Sequence, residues 1–176
     1  MFRINLVTVL TIVAAASGSA QTPWSANATT AVPNFQSNAV VKTTTVDSGN
    51  PHGRGVSPRS TPEGAGTSLL YIPVTAPNKN VSKCIGLRAS DPMGGLVTAE
   101  LYSQPRNGAA GGASLLGKVA TVGAGYQYRE KQAPVTIDYS ANSYYIRLTL
   151  SSTTAAGTAN QPIAFDVSLT AACSLL

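Results

Sequence analysis

From about Ser68 onward, apolar and polar side chains alternate with a period of two, in short runs that recur at intervals of roughly ten residues. This is the pattern of antiparallel strands that bury one face and wet the other. The predicted strands are residues 69–74, 81–89, 96–103, 115–122, 135–139, 144–150 and 163–171. In 81–89 the inward set is Ile85, Leu87 and Ala89, and in 96–103 it is Val97, Ala99 and Leu101, with Thr98, Glu100 and Tyr102 facing out. In 144–150, Tyr144, Ile146, Leu148 and Leu150 share the core face while Tyr145, Arg147 and Thr149 share the other. The last run alternates longest, with Ile163, Phe165, Val167, Leu169 and Ala171 against Ala164, Asp166, Ser168 and Thr170. No segment keeps helical periodicity over three turns.

Turn chemistry separates the runs. Asp91-Pro92-Met93-Gly94-Gly95 combines a proline that sets φ with glycines that permit positive φ. The short link Ser140-Ala141-Asn142-Ser143 makes 135–139 and 144–150 read as a hairpin. The fold class expected is all-β, an antiparallel two-sheet sandwich of seven or eight strands spanning residues 67–176. Jelly-roll and immunoglobulin-like connectivities both fit.

Upstream the pattern differs. Arg3 precedes an apolar run over residues 4–16, followed by small residues at Gly18 and Ala20. Residues 1–20 therefore read as a secretory signal cut between Ala20 and Gln21. The run is too short to span a bilayer, and no later stretch approaches the roughly 18 to 20 apolar residues a membrane helix needs. The expected destination is periplasmic, secreted or cell-surface. Residues 21–66 carry prolines at 23, 33, 51, 58 and 62 and glycines at 49, 53, 55, 64 and 66, which predicts a flexible leader. Within it, residues 39–46 hold Val40, Val41 and Val46 among threonines and could dock as one leading strand. Trp24 lies near the mature N-terminus and is expected to be mobile.

Charge narrows the partners. Charged residues are 11% of the chain, and removing the signal leaves eleven Lys plus Arg against seven Asp plus Glu. The basic residues are scattered, with only Lys79, Lys83 and Arg88 loosely grouped, so no electrostatic footprint for nucleic acid is present. Cys84 and Cys173 are an even pair in an oxidising compartment and read as one disulfide closing a loop of about 90 residues. A thiolate metal site would need further Cys or His ligands, and His52 is the only histidine.

Catalytic equipment is not evident. The chain has no Gly-x-Ser-x-Gly, His-Glu-x-x-His, phosphate-cradling or dinucleotide motif. His52 sits in the leader between Pro51 and Gly53 without a rigid frame. Glu100, Asp138 and Asp166 are expected on strands, where two of them could serve as a glycosidase pair only if a sheet brought them within a few ångströms. Asp91 alone is weak as a calcium ligand. No catalytic residue, cofactor or metal is assigned. Binding chemistry falls instead on the tyrosines, because an exposed ring offers an apolar face and a polar tip. Tyr126 and Tyr128 alternate before Arg129-Glu130-Lys131, and Tyr145 faces outward beside the core residue Tyr144. Tyr126, Tyr128 and Tyr145 are the candidate binding residues.

The segment Ile137-Asp138-Tyr139-Ser140-Ala141-Asn142-Ser143-Tyr144-Tyr145-Ile146-Arg147-Leu148, with Thr98-Ala99-Glu100-Leu101-Tyr102 upstream and Gly125-Tyr126-Gln127 between, resembles uncharacterised bacterial exported proteins. That resemblance implies a signal peptide joined to a single β-sandwich and carries over no catalytic residue. In length, Ala/Gly/Thr content and single disulfide the chain also resembles chaperone–usher pilins. It departs from them in its late, widely spaced cysteines and in ending Ala172-Cys173-Ser174-Leu175-Leu176 without an aromatic residue. The functional expectation is a non-catalytic, exported interaction or structural protein whose partner is a protein or polysaccharide at the cell surface. A carbohydrate-binding module and a fimbrial subunit, with Val40 to Val46 as donor strand, are the alternatives.

Overall fold

The computed structural model describes residues 23–33, 42–45, 54–57, 67–91, 95–106, 112–151 and 162–174. Residues 1–20, read above as a secretory signal, His52 and most of the segment 21–66 read as a leader lie outside these residues. Eleven strands are present among them: β1 (Trp24–Asn27), β2 (Val32–Pro33), β3 (Lys42–Thr45), β4 (Arg54–Ser57), β5 (Thr67–Pro73), β6 (Val81–Asp91), β7 (Leu96–Pro105), β8 (Ser114–Ala120), β9 (Gly125–Thr136), β10 (Asn142–Ser151) and β11 (Ile163–Thr170). A single 3-10 turn, Ala28–Thr30, follows β1 and is capped by Asn27, whose side chain accepts from the Thr29 N–H.

Eight strands form the frame of an antiparallel sandwich. One sheet runs β1-β11-β6-β9 and the other β5-β10-β7-β8. The strand pair β3-β4 extends the first sheet beside the start of β11, and β2 extends the second beside β5, giving six and five strands. Numbered along the chain, the frame reads 1-8-3-6 in one sheet and 2-7-4-5 in the other, which is the jelly-roll connectivity. The inward faces meet as expected: Ile85, Leu87, Ala89, Val167 and Leu169 from one sheet pack on Leu70, Ile72, Val97, Ala99, Leu101, Ile146, Leu148 and Leu150 from the other, all buried. Each fully buried Leu or Ile contributes about 1.5–3 kcal/mol through the surface it removes from water.

Where strands β8 and β9 bring the two sheets together, Gly117 faces Ala133. A Cβ at Gly117 would collide with the Ala133 Cβ and stand 3.3 Å from its Cα, so the close approach of the sheets requires glycine there.

Four expectations need correction. The run 135–139 is not the first arm of a hairpin. Its first two residues end the longer strand β9, which among the described residues pairs only with β6, while β10 pairs with β5 and β7. The link therefore crosses between sheets, and a short link between two alternating runs does not distinguish crossing from pairing. Strand β9 itself begins at Gly125, ten residues earlier than the pattern indicates. Its inward positions Gln127, Arg129 and Lys131 lie opposite Ala89, Leu87 and Ile85, so the apolar signal is missing. Inward charges and Pro134 on an edge strand protect it from pairing with another chain.

Trp24, expected to be mobile, is 8% exposed; it pairs with Leu169 and donates its indole N–H to Thr75 Oγ1 at 3.1 Å. Long-range pairing, invisible in four residues, holds it. Finally, a bulge between Ala164 and Asp166 turns Ala164 into the core opposite Ala89, in place of half-buried Ile163. Phe165, at the bulge, is fully buried against Tyr126, with ring centroids 5.9 Å apart.

Cys84 and Cys173 form the expected disulfide, with Cα atoms 5.5 Å apart. The chain turns back after β11, and the bridge ties it to β6 within the same sheet.

Candidate functional site

Alternation puts Tyr71, Tyr102 and Tyr145 on the outer face of the five-stranded sheet, because their neighbours Leu70, Ile72, Leu101, Tyr144 and Ile146 face the core. Register then brings them together. Tyr145 lies directly opposite Tyr102 on one side and Pro73 on the other, and Tyr102 lies opposite Leu115. The next row runs Val32, Tyr71, Arg147, Glu100, Lys118 across all five strands. Tyr102 and Tyr145 stack with centroids 5.3 Å apart and planes 11° from parallel, and Tyr71 leans on Tyr145 at 5.6 Å and 60°. These are favourable aromatic geometries for cross-strand neighbours. All three rings are half-buried, and Val32 and Leu115 at the ends of the rows are 53% and 51% exposed.

Glu100 anchors this face. Its carboxylate accepts from Arg147 Nε at 2.8 Å and Nη2 at 2.6 Å, and Lys118 Nζ approaches at 3.2 Å from the other flank. Arg147 also spreads over the Tyr102 ring, 4.9 Å from its centroid. Burial pushes the Glu100 carboxyl upward, but the hydrogen bonds and charges of Arg147 and Lys118 outweigh it and hold the group below the usual carboxylate range. Burial raises the Tyr102 and Tyr145 hydroxyls above 10, so at neutral pH this face presents neutral hydroxyls beside a fixed ion network.

The other two sequence candidates, Tyr126 and Tyr128, lie on the opposite side of the molecule. They share the outer face of the six-stranded sheet with Ser90, Arg88 and Gly86, their partners or neighbours across β6. Tyr126 is 41% exposed and Tyr128 is half-buried. The Tyr128 side chain reaches across Gly86: a Cβ there would meet the Tyr128 hydroxyl at 2.9 Å and the ring Cε2 at 3.3 Å. The hydroxyl donates to Glu130 Oε1 at 2.5 Å. Glu130 in turn accepts the Ser174 N–H at 2.5 Å and the Thr170 hydroxyl at 3.4 Å. Burial works against its ionisation, but these donors prevail and lower its pKa.

The three acidic candidates Glu100, Asp138 and Asp166 do not converge. Glu100 is on one outer face, Asp166 faces out from the other beside Arg88 at 3.5 Å, and Asp138 sits in the β9–β10 link, bridged to Lys79 and bonded to Ser140. Stacked sheets are about 10 Å apart, so Glu100 and Asp166 on their outer faces do not share a site. Buried Asp91 accepts the Gly95 N–H at 2.7 Å and closes its turn. Among the described residues no group of three His, Cys, Asp or Glu could hold a metal ion, and no helix is long and apolar enough to cross a membrane.

Tyr145 is thus joined by two rings that sequence reasoning did not select. Alternation assigned Tyr102 outward, and the same signal was available for Tyr71 between Leu70 and Ile72. Their adjacency depends on strand order.

No family model matches the sequence, and no curated protein sequence matches it. Solved structures share the fold. The tandem CBM22-1–CBM22-2 domain of Paenibacillus barcinonensis Xyn10C superposes with a TM-score of 0.51 at 12% identity, covering 91% of this chain and 52% of that one. The CBM22-1–GH10 modules of Clostridium thermocellum xylanase 10B, complexed with xylohexaose, give 0.50 at 13% identity over 85% of this chain and 27% of theirs. The CBM22-2 xylan-binding domain of Xyn10C gives 0.50 at 12% identity over 85% of this chain and 99% of its own length. This chain spans about half the length of the first of these and about a quarter of the second. At such identities the likeness establishes a β-sandwich of the same architecture.

Proposed function

We propose that the mature protein is an exported, non-catalytic module that binds polysaccharide at or outside the cell surface. The observation that carries this reading is the cluster Tyr71, Tyr145 and Tyr102 on one sheet face, with Arg147, Glu100 and Lys118 beside it. Sugar rings present apolar C–H faces and polar rims. A surface of rigid aromatic rings, neutral hydroxyls and fixed charged donors and acceptors complements both. The rings are held by one another and by the ion network, so little conformational entropy is lost on binding. That the solved structures sharing the fold include a xylan-binding domain and a module complexed with xylohexaose supports the reading and makes xylan the first ligand to try.

The test is retention on insoluble xylan, cellulose, chitin and β-1,3-glucan. Wild-type protein is expected to be retained on at least one of them, and Tyr102→Ala and Tyr145→Ala each to weaken retention about tenfold or more, as central aromatic anchors do. Failure of the wild-type protein to bind any of the four overturns the proposal.

A further inference from the structure

We propose that the six-stranded face carries a second saccharide site, built on Tyr128, so that one molecule bridges two polysaccharide chains. The inference rests on the saccharide reading of the five-stranded face and extends it to a surface that shares none of its residues.

Glycine at position 86 is the local cause. With no Cβ there, the Tyr128 ring settles across β6, its Cε2 within 3.3 Å of where that Cβ would be. The far end of the ring is pinned by the 2.5 Å bond to Glu130, which the Ser174 N–H and Thr170 hydroxyl hold in turn. A ring seated on backbone and tied at its hydroxyl is preorganised in the way a stacking platform requires. Arg88, with 39% of its side chain exposed and its guanidinium 5.8 Å from the ring centroid, places N–H donors at the edge. Tyr126, two residues along the same strand face with its Cα about 7 Å from that of Tyr128, adds a second ring, which leans on Phe165.

The surroundings select the ligand class. Ser90, Thr170 and Ser25 occupy outward positions on the neighbouring strands, while the Ser168 hydroxyl is buried and half-buried Ile163, opposite Ser90, is the aliphatic neighbour on the Tyr126 side, so the surface around Tyr128 itself is mostly polar. Such a lining suits a polyol better than an apolar protein interface. Arg88 is balanced by Asp166, which leaves no basic excess for a phosphate backbone. The two faces point in opposite directions across the sandwich, so one sugar chain cannot occupy both and two chains can be joined.

The experiment uses the same four polysaccharides with variants of each face. Tyr102→Ala/Tyr145→Ala protein is expected to keep a weaker retention that Tyr128→Ala, added to it, abolishes. Wild-type protein held on insoluble xylan is expected to capture soluble, fluorescently labelled xylan, and protein altered on either face is not. Gly86→Val, which displaces the Tyr128 ring, should act as Tyr128→Ala does. Should either variant lose its fold, titrating the Tyr102→Ala/Tyr145→Ala protein with xylohexaose and following the Gly86 amide and Tyr128 ring by NMR keeps the question open to refutation. Complete loss of retention in Tyr102→Ala/Tyr145→Ala, with Tyr128→Ala alone unchanged, overturns the second site and leaves the first standing. A wild-type protein retained on none of the four overturns both.

Discussion

The two outer faces of the sandwich each organise tyrosines around a carboxylate, by different means. On the five-stranded face Glu100 lies on the inner strand β7 and is held by two cations from its flanking strands, Arg147 and Lys118. The rings there lean on one another through cross-strand register. On the six-stranded face Glu130 lies on edge strand β9 and is held by a phenol, a hydroxyl and a backbone N–H from the segment after β11. That segment is fastened to β6 by Cys84–Cys173. The first face is therefore made by the sheet itself, and the second by a glycine seat and a covalently tethered tail.

The comparison is most strongly tested by removing the tether. Replacing Cys84 and Cys173 together by Ser is expected to cost about 2–5 kcal/mol of stability, as loss of a long-loop disulfide does. At temperatures where this variant stays folded, Tyr128-dependent binding should fall while Tyr145-dependent binding persists. Thermal unfolding and retention on xylan measure the two parts, and equal loss from both faces would break the distinction.

Next in size are the carboxylates. Glu100→Gln leaves Arg147 and Lys118 without a countercharge and is expected to cost about 2 kcal/mol, within the range for hydrogen bonds to charged groups. Glu130→Gln, whose amide oxygen in place of Oε1 still accepts from Tyr128 and Thr170 while its NH2 replaces the acceptor for the exposed Ser174 N–H, should cost about 1 kcal/mol. Urea unfolding of the two variants gives the ranking, and the reverse order would mean that the tail dominates.

Acid sharpens the same contrast. Glu100 and Glu130 both have folded pKa values below the 4.5 of a free carboxyl, and Asp138 is drawn down to about 2 by Lys79 and Ser140. A lowered pKa means that the native state favours the ionised form. The associated stability is complete above the unfolded value and is lost as pH falls through the folded one. Stability followed from pH 6 downward is thus expected to decline below about pH 5, and less steeply in Glu100→Gln than in wild type. The smallest effect is that of salt: 1 M NaCl should weaken the half-exposed Lys118 contact by a few tenths of a kcal/mol and leave the neutral donors to Glu130 unchanged. Wild type and Glu130→Gln should share this loss, and Glu100→Gln should lack it.

Much of this was legible along the chain. Six strands, the inward residues of β6, β7 and β10, and the disulfide follow from alternation, turn residues and cysteine count. The same reasoning failed where residues answer to distant partners. Trp24 has no local periodicity, yet β11 and Thr75 hold it. Gln127, Arg129 and Lys131 hide β9 because an edge strand places polar side chains where a central one places leucine. The β9–β10 link resembles a hairpin because turn chemistry is the same whether the chain returns within its sheet or crosses to the other.

The sequence by itself determined which way the residues of β6, β7 and β10 point, since a backbone of period two allows only two faces, and it failed where a bulge in β11 exchanges Ile163 and Ala164. It did not determine which strands are neighbours. Only the tertiary structure set Tyr71, Tyr102 and Tyr145 side by side and sent Tyr126 and Tyr128 to the opposite face. Strand order follows from how the whole apolar surface of two sheets is best covered, a property of all the strands together and not of any one.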